Sequence, residues 1–380
     1  MNYKAKTITM ADPYFDSNDR ERIHQGIDEI LDQSLSMGPN VRAFELEFAA
    51  QMNVKHAIAM NSCTSTLEAA LLAHNVLGKE VIIPSQTFIA TGMAVHLNGG
   101  TPVFAEISPE TMCLDIDDVK SKITPNTVGI VLVHMTGIVT PNIMEFKNLC
   151  DEQNLFLVED AAHAPGALVD GKFAGTIGDV GCFSFFPSKV ITSGEGGMLV
   201  TNNDEIAGFA KSYQNRGRDM SSNVEIYNMP GRNVRMTEMS ALLGRIQLEK
   251  LDDFLEKRRV LANIYKTELS EVDGLDVLIP KDIKSSSFWK VPVILNSDID
   301  RLALTDNMRS NGVSVDWAYN PPLHLQPVFM DLYHTFEGQL PVTESCLARH
   351  ICLPCHPRMT ESEALYAAQV LKDYLKDRIR

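Results

Sequence analysis

From about residue 55 this chain alternates short apolar runs with longer amphipathic segments, a rhythm best met by a sheet whose strands are joined through covering helices. Candidate strands are HAIAM (56–60), EVIIP (80–84), TPVFAE (101–106), GIVLVHM (129–135), LFLVED (155–160), CFSFF (182–186) and GMLVTN (197–202). The segments between them, such as TSTLEAALLAHNVL and FKNLCDEQ, carry apolar residues at helical spacing. Each strand can therefore return to a parallel sheet through a crossover helix. The expected fold class is α/β.

A chain of 380 residues is too long for one comfortable core, and the texture changes after residue 236. The run 237–272 is dense in good helix formers and contains no Gly or Pro beyond Gly244, so a long helix or a helix pair is expected there. A boundary inside it divides the chain into a large domain, 1–255, and a small one, 256–380. The second part offers an apolar run at FWKVPVIL, a helix at RLALTDNMRSNG, a Pro-rich loop at YNPPLHLQP and a terminal amphipathic helix from Thr360. It reads as a small α/β domain.

Bulk charge narrows the partners. A formal charge of -15 opposes nucleic acid and anionic membranes, which are held by clustered Lys and Arg. Any anionic ligand must meet a local basic island, and Lys211, Arg216, Arg218, Arg232 and Arg235 supply one against only Asp219 and Glu225. That island serves equally as a solvated or subunit-contacting face. The N-terminal stretch MNYKAKTITMADPYFDSNDRE has no long apolar region, and no later run approaches the roughly 20 residues that cross a bilayer, so a cytoplasmic protein is expected. Seven scattered cysteines suit reduced core positions better than a disulfide framework. CLPCH, Cys352 to His356, matches the c-type haem attachment pattern, but that attachment goes with export, and Pro354 and Pro357 fit a loop edge. No metal site is assigned.

Three motifs fall at the ends of expected strands, where an open α/β sheet places its ligands. LFLVEDAAHAPG puts Asp160 at the carboxyl end of an apolar strand, with His163 three residues on. A buried carboxylate there needs a cationic or donor partner, and a protonated pyridine nitrogen is such a partner. CFSFFPSKVITSGEGG ends the next strand at Pro187, so Ser184, Ser188 and Lys189 emerge near the same crevice, and the glycines allow a tight turn before MLVTN. An amine desolvated in such a cleft has a depressed pKa and can form an imine with an aldehyde. AMNSCTSTLEAALLA joins a strand to a helix whose first turn is crowded with Ser62, Thr64, Ser65 and Thr66, and a helix N-terminus with free N–H groups binds phosphate.

Each residue alone has a plainer use: Asp160 as a helix cap, His163 as a satisfied core histidine, Lys189 as a solvated loop lysine, the Ser/Thr cluster as an N-cap. Taken together, an aldehyde-binding lysine, a pyridine-facing aspartate and a phosphate cup describe a site for pyridoxal 5'-phosphate.

In order along the chain, GPNVRAFELEFAAQMNVKHAIAMNSCTSTLEAAL, PSQTFIATGMAV, VHMTG, VEDAAHAPGA, GDVGCFSFFPSKVITSGEGGMLVTN and RNVRMTEMSALLGRIQLEKL resemble the DegT/StrS-type nucleotide-sugar aminotransferases, fading through NPPLHLQP. The resemblance implies the aspartate-aminotransferase-like fold of pyridoxal-phosphate enzymes: a large, mostly parallel-sheet α/β/α domain, a smaller C-terminal α/β domain, and a homodimer with shared active sites. It implies that Lys189 forms the Schiff base and Asp160 pairs with the pyridine nitrogen. Phe88 looks like the aromatic residue lying against the cofactor ring, and His163 matches a Gln or His beside the ring. Thr64, Ser65 and Ser184 match phosphate contacts, with Cys63 where the family usually has Gly, and Asn233 resembles an asparagine lent to the phosphate by a partner subunit. Glu106, Thr136 and Arg216 are further departures, which bear on substrate more than on reaction class.

The implied reaction moves an amino group, from a donor such as glutamate, to a keto group of a nucleotide-linked sugar, for a surface polysaccharide or a glycosylated natural product. Arg216, Arg218, Tyr319 and His324 are the candidate substrate contacts. One alternative is a related sugar dehydratase, which carries His in place of the Schiff-base lysine. Another is a non-catalytic regulator that keeps fold and cofactor.

Overall fold

The computed structural model describes residues 7–376. Its strands are β1 (His56–Met60), β2 (Glu80–Pro84), β3 (Thr101–Ala105), β4 (Thr127–Val133), β5 (Phe156–Asp160), a short ribbon of β6 (Leu168–Val169) and β7 (Lys172–Phe173), β8 (Val180–Ser184), β9 (Gly197–Thr201), β10 (Leu275–Val277), β11 (Val291–Leu295) and β12 (His350–Leu353). Seven of them form one sheet in the order β1-β9-β8-β5-β4-β2-β3.

The expectation of a parallel sheet holds from β8 through β5, β4 and β2 to β3. It does not hold for β9, which runs antiparallel to both of its neighbours. The reason is the connection. No helix separates β8 from β9; the loop 185–196 turns the chain straight back, and that loop carries Lys189.

Strand side chains alternate between faces, and two apolar layers follow from that period of two. Ile58, Met60, Val81, Ile83, Val131, Val158, Cys182 and Leu199 pack with Leu67, Leu71, Ala94, Val95, Ile206 and Ala210 of the helices Cys63–Ala73, Ile89–Leu97 and Asp204–Gln214. On the other face, Ala57, Ala59, Phe183, Met198 and Val200 pack with Phe44 and Phe48 of Pro39–Met52, while Ile82, Ile130, Leu132 and Leu157 pack with Val119 and Phe146 of Ile116–Lys122 and Ile143–Gln153.

The run at 237–272 forms a pair of helices, Glu238–Leu248 and Leu251–Leu269. The second helix changes core along its length. Leu251, Phe254 and Leu255 pack with the large sheet's residues, whereas Leu261, Ala262, Tyr265 and Leu269 join a separate cluster built on the antiparallel sheet β10-β11-β12. The terminal helix Glu361–Lys376 completes that cluster through Ala364, Ala367, Ala368 and Leu371. Leu323 and Phe329, from the Pro-rich loop and the turn after it, return to the large sheet's core.

All seven cysteines are free. In CLPCH, Cys352 belongs to one apolar cluster and Cys355 to another, so the two thiols do not face a common site. No helix among the described residues is long and apolar enough to cross a membrane.

Candidate active site

The C-terminal ends of β4, β5 and β8 open on one cavity of about 490 Å³. Among its lining residues are Cys63, Thr64, Phe88, Thr91, Asp160, His163, Ser184, Ser188, Lys189, Trp289, Lys290 and Tyr319. Residues more than 200 positions apart in the chain therefore meet here.

Asp160 ends β5 and is buried. Its carboxylate accepts from the Thr91 hydroxyl at 2.9 Å and the Ala162 N–H at 3.2 Å, neither of them a cation. Burial is the largest effect on it and pushes its pKa up, against those two bonds and the nearby charge of Lys189. A buried acid held this loosely suits a cationic partner supplied from the cavity.

Lys189 sits on a loop fixed at both ends: Phe185 N–H donates to Gly196 O, and Ser193 N–H to Phe185 O, both at 2.9 Å. Gly194 takes φ +81°, a conformation that favours glycine. Desolvation lowers the Lys189 pKa to about 8, against the Asp160 charge that would hold it up. Roughly a tenth of this amine is thus uncharged at pH 7, far more than for a solvated lysine, and the uncharged form is the nucleophile.

Across the cavity the helix Cys63–Ala73 begins. Its N-cap Ser62 accepts from Ser65 N–H at 3.2 Å, leaving the N–H groups of Cys63 and Thr64 without an intrahelical partner. Ser65 itself turns inward, its hydroxyl bonded to Asn61 Oδ1 at 2.8 Å. Gly197, at the start of β9, lies so close that a Cβ there would sit 2.5 Å from Cys63 N and 2.4 Å from Ser62 C. The glycine lets strand and helix terminus meet. Unpaired N–H donors, the helix dipole and the Thr64 and Ser184 hydroxyls of this cup could hold a phosphate.

Aromatic residues form the remaining wall. His163 stacks on Trp289 with ring centroids 3.8 Å apart and planes 13° apart, and its Nε2 is 3.0 Å from the Tyr319 hydroxyl. Its Nδ1 is buried without a partner. Burial, followed by the charges of Lys189 and Lys290, lowers its pKa well below the usual histidine range, so the ring is neutral. Tyr319 holds φ 62°, unusual for a bulky residue and tolerated where surrounding packing fixes it. Phe88 faces Tyr319 at 5.5 Å between centroids and is 52% exposed at the cavity mouth. Trp289 Nε1 donates to Ser188 O at 2.6 Å, tying this wall to the lysine loop.

Several candidates lie elsewhere. His324 is buried with both ring nitrogens engaged, by Ser85 Oγ at 2.6 Å and Glu344 Oε1 at 2.9 Å, and does not line the cavity. Asn233 is exposed and pairs through its backbone with Asn215, outside this chain's cavity. Arg216 is exposed and Arg218 half-buried on the same excursion. The basic island is dispersed: Arg232 pairs with Glu68 at 3.1 Å, Arg235 donates to Asn215 Oδ1 at 2.6 Å, and Lys211 lines a different hollow with Arg42, Glu45, Lys55 and His56. Sequence reasoning passed over Thr91, Trp289 and Lys290. The trace it left was a Trp-Lys pair interrupting an apolar run just before β11.

The family model of the DegT/DnrJ/EryC1/StrS aminotransferase family matches residues 17–372. A GDP-perosamine synthase of Vibrio cholerae is 34% identical over 373 residues, covering 97% of this chain and 99% of that one. Among solved structures, DesI in the presence of its TDP-sugar product superposes with a TM-score of 0.86 at 30% identity, covering 97% and 92%. NtdA of Bacillus subtilis with bound cofactor PMP superposes at 0.86 and 26%, covering 96% and 86%. The chain belongs to the DegT/DnrJ/EryC1/StrS aminotransferase family and is a pyridoxal-phosphate-dependent enzyme.

Proposed function

We propose that this enzyme transfers an amino group from glutamate to a keto group of a nucleotide-linked sugar, for the synthesis of an amino sugar, and that it works as a cytosolic homodimer. One observation carries the site assignment: the buried acid Asp160 and the amine Lys189, its pKa lowered by burial, face a single cavity, opposite a helix N-terminus with free donors. Names of relatives that make GDP-, UDP- and dTDP-linked amino sugars support the sugar acceptor. Lys189 weighs against the dehydratase, and a cavity with a poised amine weighs against a silent regulator. Seven free cysteines agree with a reducing compartment.

Pyridoxal phosphate, when bound, supplies an aldehyde for amine exchange and a ring that takes up electrons from the substrate carbon. The chain's own residues set the conditions. Lys189 would hold the cofactor covalently and, once freed by the incoming amine, carry the proton that leaves one carbon and arrives at the next. Asp160 would pair with the ring nitrogen and keep it protonated. The Cys63 and Thr64 N–H groups, with the Thr64 and Ser184 hydroxyls, would hold the phosphate, and Ser65 would brace that turn from behind. His163, kept neutral and locked against Trp289, would lie beside the ring on one side, with Phe88 at the mouth on the other. Asn233, with Arg216 and Arg218, sits on an excursion that in a dimer could serve the neighbouring site, the arginines toward the diphosphate. Tyr319, which lines the cavity, would meet the sugar. We assign residues 1–255 to cofactor binding and 256–380 to the small domain that closes the cavity with Trp289, Lys290 and Tyr319.

The deciding experiment is amino transfer from glutamate to a panel of keto-sugar nucleotides, with release of 2-oxoglutarate measured. Lys189→Ala should lower turnover by at least about a thousandfold and abolish borohydride-reducible attachment of the cofactor. Retained turnover in that variant would sink the assignment.

A further inference from the structure

Lys290 stands in the cavity wall with no part in the chemistry above. It is 8% exposed, it precedes β11, and its ammonium lies 4.3 Å from the centroid of the Trp289 ring. The Lys189 ammonium lies 4.4 Å from that same ring. Among the described lining residues, Lys189 and Lys290 are the two lysines, and His163, stacked on the same Trp289 ring, is neutral.

An internal ion pair explains only part of this arrangement. Lys290 Nζ donates to Asp316 Oδ2 at 2.6 Å, and the other Asp316 oxygen is buried without a partner. An ammonium carries three donors, and this is the one hydrogen bond recorded for it among the described residues. A buried ammonium with donors to spare, lining a cavity, is equipped for a second anion.

The reaction brings one. An amino acid donor must place its amino group against Lys189, and its carboxylate hangs on the same carbon, so a carboxylate enters the cavity within a few ångströms of that amine. Taking it out of water is costly unless a cation receives it. The keto carbon of the sugar, unlike the donor's reacting carbon, bears no carboxylate of its own, yet must use the same space in the second half of the reaction. A cation with its own counter-ion meets both demands: Asp316 neutralises Lys290 when the sugar is bound and shares it when the amino acid is bound.

Resting on the amino-transfer reading above, we infer that Lys290, paired with Asp316, is the subsite for a carboxylate of the amino donor. Glutarate, a dicarboxylate with no amino group to transfer, is the probe, titrated by calorimetry into the purified cofactor-loaded enzyme. Lys290→Met should weaken glutarate binding about tenfold or more, the worth of a charge-assisted bond. Lys290→Arg should keep most of it, and Asp316→Asn, which removes the competing anion, should tighten it several-fold. Unchanged affinity in Lys290→Met, failure of the wild type to bind glutarate, or a loss on Arg216→Ala in place of Lys290→Met would each overturn the assignment. Should Lys290→Met not fold, Asp316→Asn decides: no tightening overturns it. Because glutarate binding needs no turnover, a wild type that binds it through Lys290 but yields no 2-oxoglutarate from glutamate would fault the donor named above, not the subsite.

Discussion

Glu159 and Asp160 are neighbours at the end of one strand, both acids and both buried, yet the fold treats them differently. Glu159 faces the layer of Leu157, and its carboxylate is fully occupied: Gly175 N–H at 2.7 Å, Ile177 and Gly178 N–H at 2.6 Å each, and His134 Nε2 at 2.8 Å. It pins the turn 175–178 under β5. Asp160 faces the cavity with one hydroxyl and one N–H. A buried carboxylate surrounded by protein donors is a structural tie, whereas one left short of donors and beside an open cavity waits for a partner from outside. The pair separates architecture from chemistry within two residues.

That contrast can be broken by experiment. The largest effect is expected from Asp160→Asn, which keeps shape and removes charge: kcat should fall about a hundredfold or more, with little change in thermal midpoint. If melting moves and turnover does not, Asp160 is the structural acid after all.

The pH dependence of cofactor attachment should come next. Lys189 reacts as the free amine, so attachment to cofactor-free protein should rise about tenfold per pH unit and level off above its pKa, about 8. Asp160 favours the charged lysine, so Asp160→Asn should move that midpoint lower, and Glu159→Gln should leave it in place. Stopped-flow rates across pH 6 to 10 would read both, and a midpoint that Glu159→Gln shifts more than Asp160→Asn would reverse the division of labour.

Glu159→Gln should show the smallest change in rate, within about threefold, and a stability loss of about 2 kcal/mol, since an amide cannot accept from every donor now facing it. Differential scanning calorimetry of the two variants side by side would test this. A hundredfold loss of turnover in Glu159→Gln with unchanged melting would erase the distinction.

Much of the architecture could be read in the residues. Apolar runs of five to seven residues placed every strand of the large sheet to within two residues at each end, because burial on both faces leaves a continuous apolar signature. Direction was less legible. β9 has the same apolar texture as its parallel neighbours, and texture does not say which way a strand runs; the short loop before it does, through the absence of a helix. In the site, Lys189, Asp160 and the Cys63–Ser65 turn belong to local strand-end patterns, and the structure brings them to one cavity. His324, a candidate substrate contact in the Pro-rich loop, instead has its ring engaged by Ser85 and Glu344.

The sequence by itself determined the layering of the large sheet and which residues stand at its strand ends, since periodicity, glycines and helix starts are encoded within a few neighbours. Only the tertiary structure decided that Thr91 supports Asp160, that Trp289 locks His163, and that Lys290 shares a ring with Lys189. These are meetings between segments tens to more than a hundred residues apart. The two that involve Trp289 and Lys290 depend on how the helix Leu251–Leu269 passes from one core to the other and on the placing of β11, which no local pattern records.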